Sequence, residues 1–416
     1  MTRTNQETIA PYQAVVITSY GGPDGPDAVL PFMRNATFGR GIPDERLIEV
    51  AGHYHRWDGV SPIIEKTEQL RSDVAEELIR RGIDVPVVVG NRNWHPFLSA
   101  TLANLADEGR THVLSLPTSA FASYSGCRQY WEDIDRATAY VAGKKLEPRN
   151  GESLAERVHP IQMHVDKVRP YFNTSGFVEA NVQAVIDAYD SLCAEGIASQ
   201  DVALLFVTHS IPLGMEKGSA PRSDETDLGD APSADSEVAY IQQHHDLATV
   251  LMDEIRLRMR ERSVCDYSLV YCSRSGPAQA KWLEPDVNDA IEQIAAESPE
   301  IRAVIVAPIG FICDHMEVVF DLDTEAAETA HDHHLAYRRA ATAADNPAFI
   351  TSVVDRLLER AALARGEDVN LTSVTGRGPF HTVCPASACT TITHHRGNTH
   401  DLKPHVIAPM KENSHE

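Results

Sequence analysis

The chain has 416 residues, 43% of them hydrophobic, and its 60 acidic against 37 basic side chains leave a formal charge of −23. That length leaves room for two or three domains, and the acidic excess argues against nucleic acid or an anionic membrane surface as the main partner. No apolar run approaches the roughly 20 residues that span a bilayer, and MTRTNQETIAPYQ lacks the hydrophobic core of a secretory signal, so a soluble, cytoplasmic protein without a stable membrane anchor is expected.

Apolar, β-branched runs recur at 14–18, 85–89, 112–116, 203–207, 267–271 and 303–306. Segments of helical period separate them, notably 66–81, 178–195, 246–262 and 287–297. Strands alternating with helices predict parallel βαβ units. The pattern runs twice, over 11–175 and 176–365, which predicts an α/β chain of two Rossmann-like lobes facing a cleft. Residues 143–160 and 214–236 are rich in Gly, Pro, Ser and charge and read as surface insertions. After Gly366 the apolar period is lost, so 366–416 is read as an extension that is either disordered or held by something other than a core.

Two strand ends carry most of the chemical signal. In LLFVTHSIP the strand runs into His209, which precedes Ser210 and Pro212, so its ring should project from the carboxyl edge of the sheet. Ligands of open α/β sheets sit at that edge. The second stretch, PIGFICDHMEVVFDLDTE, leaves the 303–306 run in the same way. At 100° per residue, Asp314, Glu317, Asp321, Glu325 and Glu328 share one helix face, with Met316, Val319, Phe320 and Leu322 opposite. Solvation of an acidic face would explain such a ladder. However, Asp314, His315 and Glu317 begin it beside the strand end, and neutral His with carboxylate suits Fe²⁺ or a similar divalent metal. A serine-hydrolase reading of HSIP fails for want of the GxSxG elbow and a paired Asp. Seven cysteines without an export signal favour burial or metal binding over a disulfide framework, and Cys193, Cys265 and Cys272 are expected in the core.

Nine blocks, SYGGPDGPDAVLPFMRN, GRGIPDERL, HYHRWDGVSPI, GNRNWHP, PTSAFASYSGCRQYWEDI, THSIP, SRSGP, WLEPDV and PIGFICDHMEVVFDLDTEA, occur in an order that resembles the ferrochelatases. The likeness is greatest to the coproporphyrin III ferrochelatases of actinobacterial type. It covers roughly residues 11 to 360 and implies a chelatase-type fold, a lyase activity and a place in haem biosynthesis. The implied reaction inserts Fe²⁺ into coproporphyrin III and releases two protons, on a monomer that meets neighbouring haem-pathway enzymes only in passing. A protoporphyrin IX chelatase, and a haem-binding protein without catalysis on the same fold, are the alternatives. The tail resembles neither a membrane-binding lip nor an anchor, which favours the coproporphyrin enzyme.

The resemblance assigns His209 and Glu317 to the metal-insertion pair and Asp321 and Glu325 to an acidic path beyond it. Tyr20 matches an axial ligand to product iron in Gram-positive relatives, and phenolate suits ferric iron. Ser61 matches a propionate partner; Arg34 and Arg40 are further candidates because guanidinium binds carboxylate in bidentate fashion. An Arg expected from those relatives is replaced by His53. Tyr124 and Tyr130 are read as lining the same pocket. Cys127, Cys384 and Cys389 match three ligands of a [2Fe–2S] cluster, and His381 stands where the fourth cysteine belongs, so either His381 is the fourth ligand or the cluster is absent. Mixed Cys and His ligation has a precedent in Rieske centres, and zinc is the other occupant such ligands could take.

Overall fold

The computed structural model describes residues 7–39, 41–219, 239–274, 280–382 and Cys389. Within them lie two four-stranded sheets. The first comprises β1 (Ala14–Ser19), β2 (Val87–Asn91), β3 (His112–Pro117) and β4 (His164–Lys167) in the order β2-β1-β3-β4. The second comprises β5 (Val202–His209), β6 (Tyr267–Cys272), β7 (Ala303–Ala307) and β8 (Ala336–Arg339) in the order β6-β5-β7-β8. Every pairing is parallel. The six expected strands are all present. β4 and β8 were not expected, since HVDK and AYRR are short, polar edge strands with no apolar run to announce them.

The helices are α1 (Pro26–Ala36), α2 (Asp44–His55), α3 (Ile63–Arg80), α4 (Leu98–Asp107), α5 (Gln129–Val141), α6 (Ser175–Ala194), α7 (Leu213–Lys217), α8 (Tyr240–Arg258), α9 (Val287–Glu297), α10 (Ala327–Asp332) and α11 (Pro347–Ala364). Two segments, Tyr124–Arg128 and Val318–Ala326, wind as π-helix. Strands buried on both faces need no alternation of apolar and polar residues. Ala14 to Ile17 and Ala303 to Val306 are accordingly 0% exposed.

Each sheet has the same strand order, so each reverses its winding direction once, between β1 and β3 and between β5 and β7. Loops leave both strands of such a pair at the carboxyl edge and splay apart, opening a crevice there. The final helix does not stay with its own sheet. α11 packs on α6 and on α3 of the first lobe. Bare backbone allows the first of these contacts, because a Cβ on Gly176 would lie 2.1 Å from the Ala348 carbonyl oxygen. Arg169 pairs with Glu359 at 2.7 Å, and Arg360 with Asp166 at 2.6 Å; both pairs are buried and fasten α11 to the end of β4. The 143–160 segment is likewise tied down. Glu152 is buried against Arg136 and Ser99, and Arg149 reaches Asp133 and the Arg92 carbonyl.

Candidate active site

His209 is the last residue of β5, and Glu317 follows the loop that leaves β7, so the two stand on either side of the second winding reversal. Gly310 lets these exits touch: a Cβ there would lie 2.1 Å from Thr208 Oγ1. The imidazole Nδ1 bonds the Ser210 carbonyl, which makes it the donor nitrogen. Nε2 is then left facing Glu317 Oε1 at 3.5 Å. It is on Nε2 that a proton is gained or lost. Burial opposes charging of this ring, but Glu317, the Ser210 carbonyl and Asp321 together outweigh it and hold the pKa above the usual histidine value. His315 stands at Glu317's other oxygen, 3.8 Å from Oε2, and its Nδ1 accepts from the Glu317 amide. Its own pKa is depressed, chiefly by burial.

The acidic helix starts later than the sequence suggested and is differently wound. It begins at Met316 and continues as π-helix from Val318 to Ala326. π-Turns of this kind gather at functional sites. Asp314 therefore precedes the helix and leaves the ladder: Arg339 binds it at 2.9 Å and Thr342 at 3.0 Å. Asp321 accepts from Ser273 Oγ, at the exit of β6. Burial pushes the Asp321 carboxyl up, Glu317 and Glu325 add to the rise, the Ser273 bond resists it, and the result is about 7. Glu325 is raised as well, by partial burial and by Asp286 and Glu328. Glu325 and Glu328 are exposed. The carboxylates thus run from half-buried Glu317 through Asp321 to solvent.

The first lobe supplies the opposite wall. Tyr20 follows β1, half-buried, edge-on to Phe32 and 5.8 Å from the Arg92 guanidinium. Tyr54 of α2 was not singled out as a site residue in the sequence, yet it faces Glu317, Tyr20 and Asp321 together. Burial first, then those neighbours, raise its phenol well above the usual range. His53 stacks on Phe320 with ring centroids 3.8 Å apart, joining α2 to the π-helix. Ser61 is buried against Gly22, where a Cβ would meet its Oγ at 2.9 Å. Arg34 is engaged by Asp44 at 2.6 Å on the outer face of α1. Arg40 lies outside the described residues. Tyr124 is partly exposed and donates to Glu132 at 3.1 Å. Tyr130 is 4% exposed beneath the Arg92 guanidinium, which makes it a core residue with little surface to offer a ligand.

The cysteines divide by surroundings. Cys272 is buried as expected; Cys313 is buried too, which pushes its thiol up to about 12. Cys193 and Cys265 are only half-buried. Cys127, Cys389 and His381 are all buried. Cys389, with Lys167 and His381 nearby, holds the Cys127 thiol well below its usual pKa despite burial, and the Cys389 thiol itself donates to the Ser219 carbonyl. Two cysteines and a histidine therefore lie within electrostatic reach of one another. Cys384 lies outside the described residues. Among the described residues, no group of three or more such side chains is already arranged to hold a metal ion.

The chain is similar over most of its length to known proteins. The family model described as Ferrochelatase matches residues 12–361. A coproporphyrin III ferrochelatase of Streptomyces coelicolor is 42% identical over 383 residues, covering 91% of this chain and 94% of that protein. One from Leifsonia xyli is 39% identical and covers 91% of each chain. A ferrochelatase of Rhodopirellula baltica is 36% identical over 92% of this chain and 94% of its own.

Proposed function

The chain belongs to the ferrochelatase family, and from that premise we propose that it inserts Fe²⁺ into coproporphyrin III to give Fe-coproporphyrin III in haem biosynthesis. The observation that carries the residue assignment is the facing of His209 Nε2 and Glu317 Oε1 across 3.5 Å at the carboxyl edge of the sheet. Insertion removes two pyrrole N–H protons from the macrocycle and leaves its four nitrogens bound to iron. His209 is held with Nδ1 donating, so Nε2 is the group that accepts a pyrrole proton. Glu317 balances the imidazolium that forms. Asp321, with its pKa near 7, takes the proton next and can release it at working pH. Glu325 hands it to solvent. Iron is the substrate here and leaves with the product.

Coproporphyrin carries four carboxylates, against which the chain's charge of −23 is unfavourable. Ser61, Tyr124, Arg34 and Arg40 remain the proposed partners of the propionates and ring, with Tyr20 facing the product iron. Arg34 must exchange Asp44 for substrate if it takes part. Among the described residues no helix is long and apolar enough to cross a membrane. The test is anaerobic incubation with Fe²⁺ and either coproporphyrin III or protoporphyrin IX, following loss of the free-base spectrum. Faster turnover of protoporphyrin would overturn the substrate assignment.

We infer in addition that Cys127, His381, Cys384 and Cys389 hold a [2Fe–2S] cluster. The contact between Cys127 and Cys389 and the burial of His381 support this reading. Such a cluster would supply a one-electron redox centre and would join residues distant in sequence, so that its binding adds to folding.

A further inference from the structure

β5 runs in register with β7 only as far as Phe206 opposite Ala307, whereas β6 follows it to His209 opposite Cys272. The last two residues of β5 therefore have a strand neighbour on one side only, and the Thr208 side chain, 0% exposed, fastens them to α8. His244 of α8, also 0% exposed, places Nδ1 2.8 Å from the Tyr240 carbonyl oxygen. A carbonyl can only accept, so Nδ1 carries the hydrogen and Nε2 is the acceptor. Thr208 Oγ1 donates to that Nε2 at 2.8 Å. With its single hydrogen spent, Thr208 accepts from the Tyr240 hydroxyl at 2.7 Å, and the same hydroxyl lies 3.2 Å from the His209 carbonyl. Burial pushes the His244 pKa down to about 3, so the ring is neutral at neutral pH and the bonds keep this polarity. The same turn of α8 grips the first lobe. The His244 ring stacks on Phe121 with centroids 3.8 Å apart, and Gln243 bonds the Ala122 amide at 2.8 Å and its carbonyl at 3.0 Å. One helical turn thus holds the segment leading into Tyr124 on one side and the end of β5 on the other.

We propose that Tyr240 and His244 are positioning residues for iron insertion, acting through Thr208 to fix where His209 stands against the first-lobe wall. The inference rests on the reading of His209 as proton acceptor given above. Strand side chains alternate between the two faces of a sheet. Leu204 and Phe206 pack with Leu247 and Ala248 of α8, whereas Leu205 and Val207 pack with Val318 and Leu322 of the π-helix. Thr208 belongs to the first face and His209 to the second. Holding the Thr208 hydroxyl on α8 therefore holds the backbone from which the imidazole turns towards Glu317. Proton transfer depends steeply on such placement, and a misplacement of about 1 Å can cost on the order of 10²-fold in rate. Both residues act through β5 and not on the substrate.

The test uses the full chain as wild type and three variants. His244→Phe keeps a flat ring over Phe121 but has no acceptor, His244→Gln offers an amide oxygen in its place, and Thr208→Val keeps the shape without the hydroxyl. Single-turnover insertion per folded molecule and coproporphyrin affinity by fluorescence quenching are measured, and both are repeated in a His209→Ala background. His244→Phe and Thr208→Val should lower insertion about 10- to 100-fold while affinity stays within about twofold. His244→Gln should recover most of the loss. In His209→Ala neither substitution should slow the residual rate further, because a group that acts through His209 then has nothing to act on. Additive losses in that background, or affinity falling as far as rate, would make the network a general scaffold and overturn the inference. Wild-type turnover in His244→Phe or Thr208→Val, or His244→Gln no faster than His244→Phe, overturns it too. If His244→Phe does not fold, Thr208→Val decides by the same readings. Near-normal turnover of His209→Ala overturns the reading beneath; a slow His209→Ala beside unaffected Thr208→Val and His244→Phe overturns this inference alone.

Discussion

His209 presents its deprotonatable nitrogen to Glu317 across 3.5 Å, while its other nitrogen is tied to the Ser210 carbonyl. The ring is therefore fixed in tautomer and in aim before substrate arrives, and on the proposed reading the macrocycle's centre lies beside the pair.

His209→Ala and Glu317→Gln should each lower insertion by about 10²- to 10⁴-fold, the usual worth of a positioned acid or base. Porphyrin affinity should change little, because ring and propionate contacts supply it. Anaerobic turnover beside porphyrin fluorescence quenching checks both halves. Near-normal turnover in either variant would remove the pair from the chemistry.

Asp321 should place an inflection near pH 7 in the rate profile. Ser273 holds that carboxyl down, so Ser273→Ala should move the inflection to higher pH, and Asp321→Asn should abolish it. Stability gives the same group a second signature. The folded state binds this proton more tightly than the unfolded chain, whose Asp titrates near pH 4. The stability Asp321 contributes is thus present below about pH 4 and is lost as pH rises towards 7. Asp321→Asn should therefore be more stable than wild type at pH 8, by roughly 1–3 kcal/mol, and indistinguishable at pH 4.

Tyr20→Phe should alter the visible spectrum of the bound ferric product and its release rate, leaving the first-turnover insertion rate within about twofold. An unchanged product spectrum would mean that the phenol does not meet the iron.

Protein purified anaerobically should be brown, with about two irons and two sulfides per chain. His381→Cys should keep the cluster at a lower potential, since thiolate donates more charge than imidazole, and His381→Ala should lose it. Colourless wild-type protein after reconstitution would refute the cluster.

Gly310→Ala should cost activity without touching substrate. The added Cβ would strike Thr208 and force the exits of β5 and β7 apart, a strain of about 1–3 kcal/mol. A lower melting temperature with reduced insertion is the expected pair of readings.

The central strands were legible in the sequence because burial on both faces writes them as continuous apolar runs. β4 and β8, four residues each and half polar, carry no such mark. His209 and Glu317 were legible because each follows a buried strand and so must emerge at the ligand edge. Asp314 was misread for a local reason: the helix starts two residues later, and Arg339 from a distant strand claims the carboxylate. Tyr54, Ser273 and Gly310 were not singled out, because what makes each matter is a neighbour more than thirty residues away. The π-winding of 318–326 was invisible too, since its apolar spacing fits an ordinary α-helix closely enough.

The ties between the lobes have a consequence for how substrate arrives. Arg169–Glu359 and Arg360–Asp166 are buried across the joint, and Gln243 of α8 clasps both the amide and the carbonyl of Ala122 in the first lobe. Breaking one buried ion pair costs about 3–5 kcal/mol, so hinged opening of the lobes like a clamshell would have to break two such pairs and the Gln243 hydrogen bonds as well. On the proposed reading a flat macrocycle would enter edgewise, without the lobes opening. α2 and its C-terminal end are joined to the π-helix by His53, Arg56 and Trp57 around Phe320.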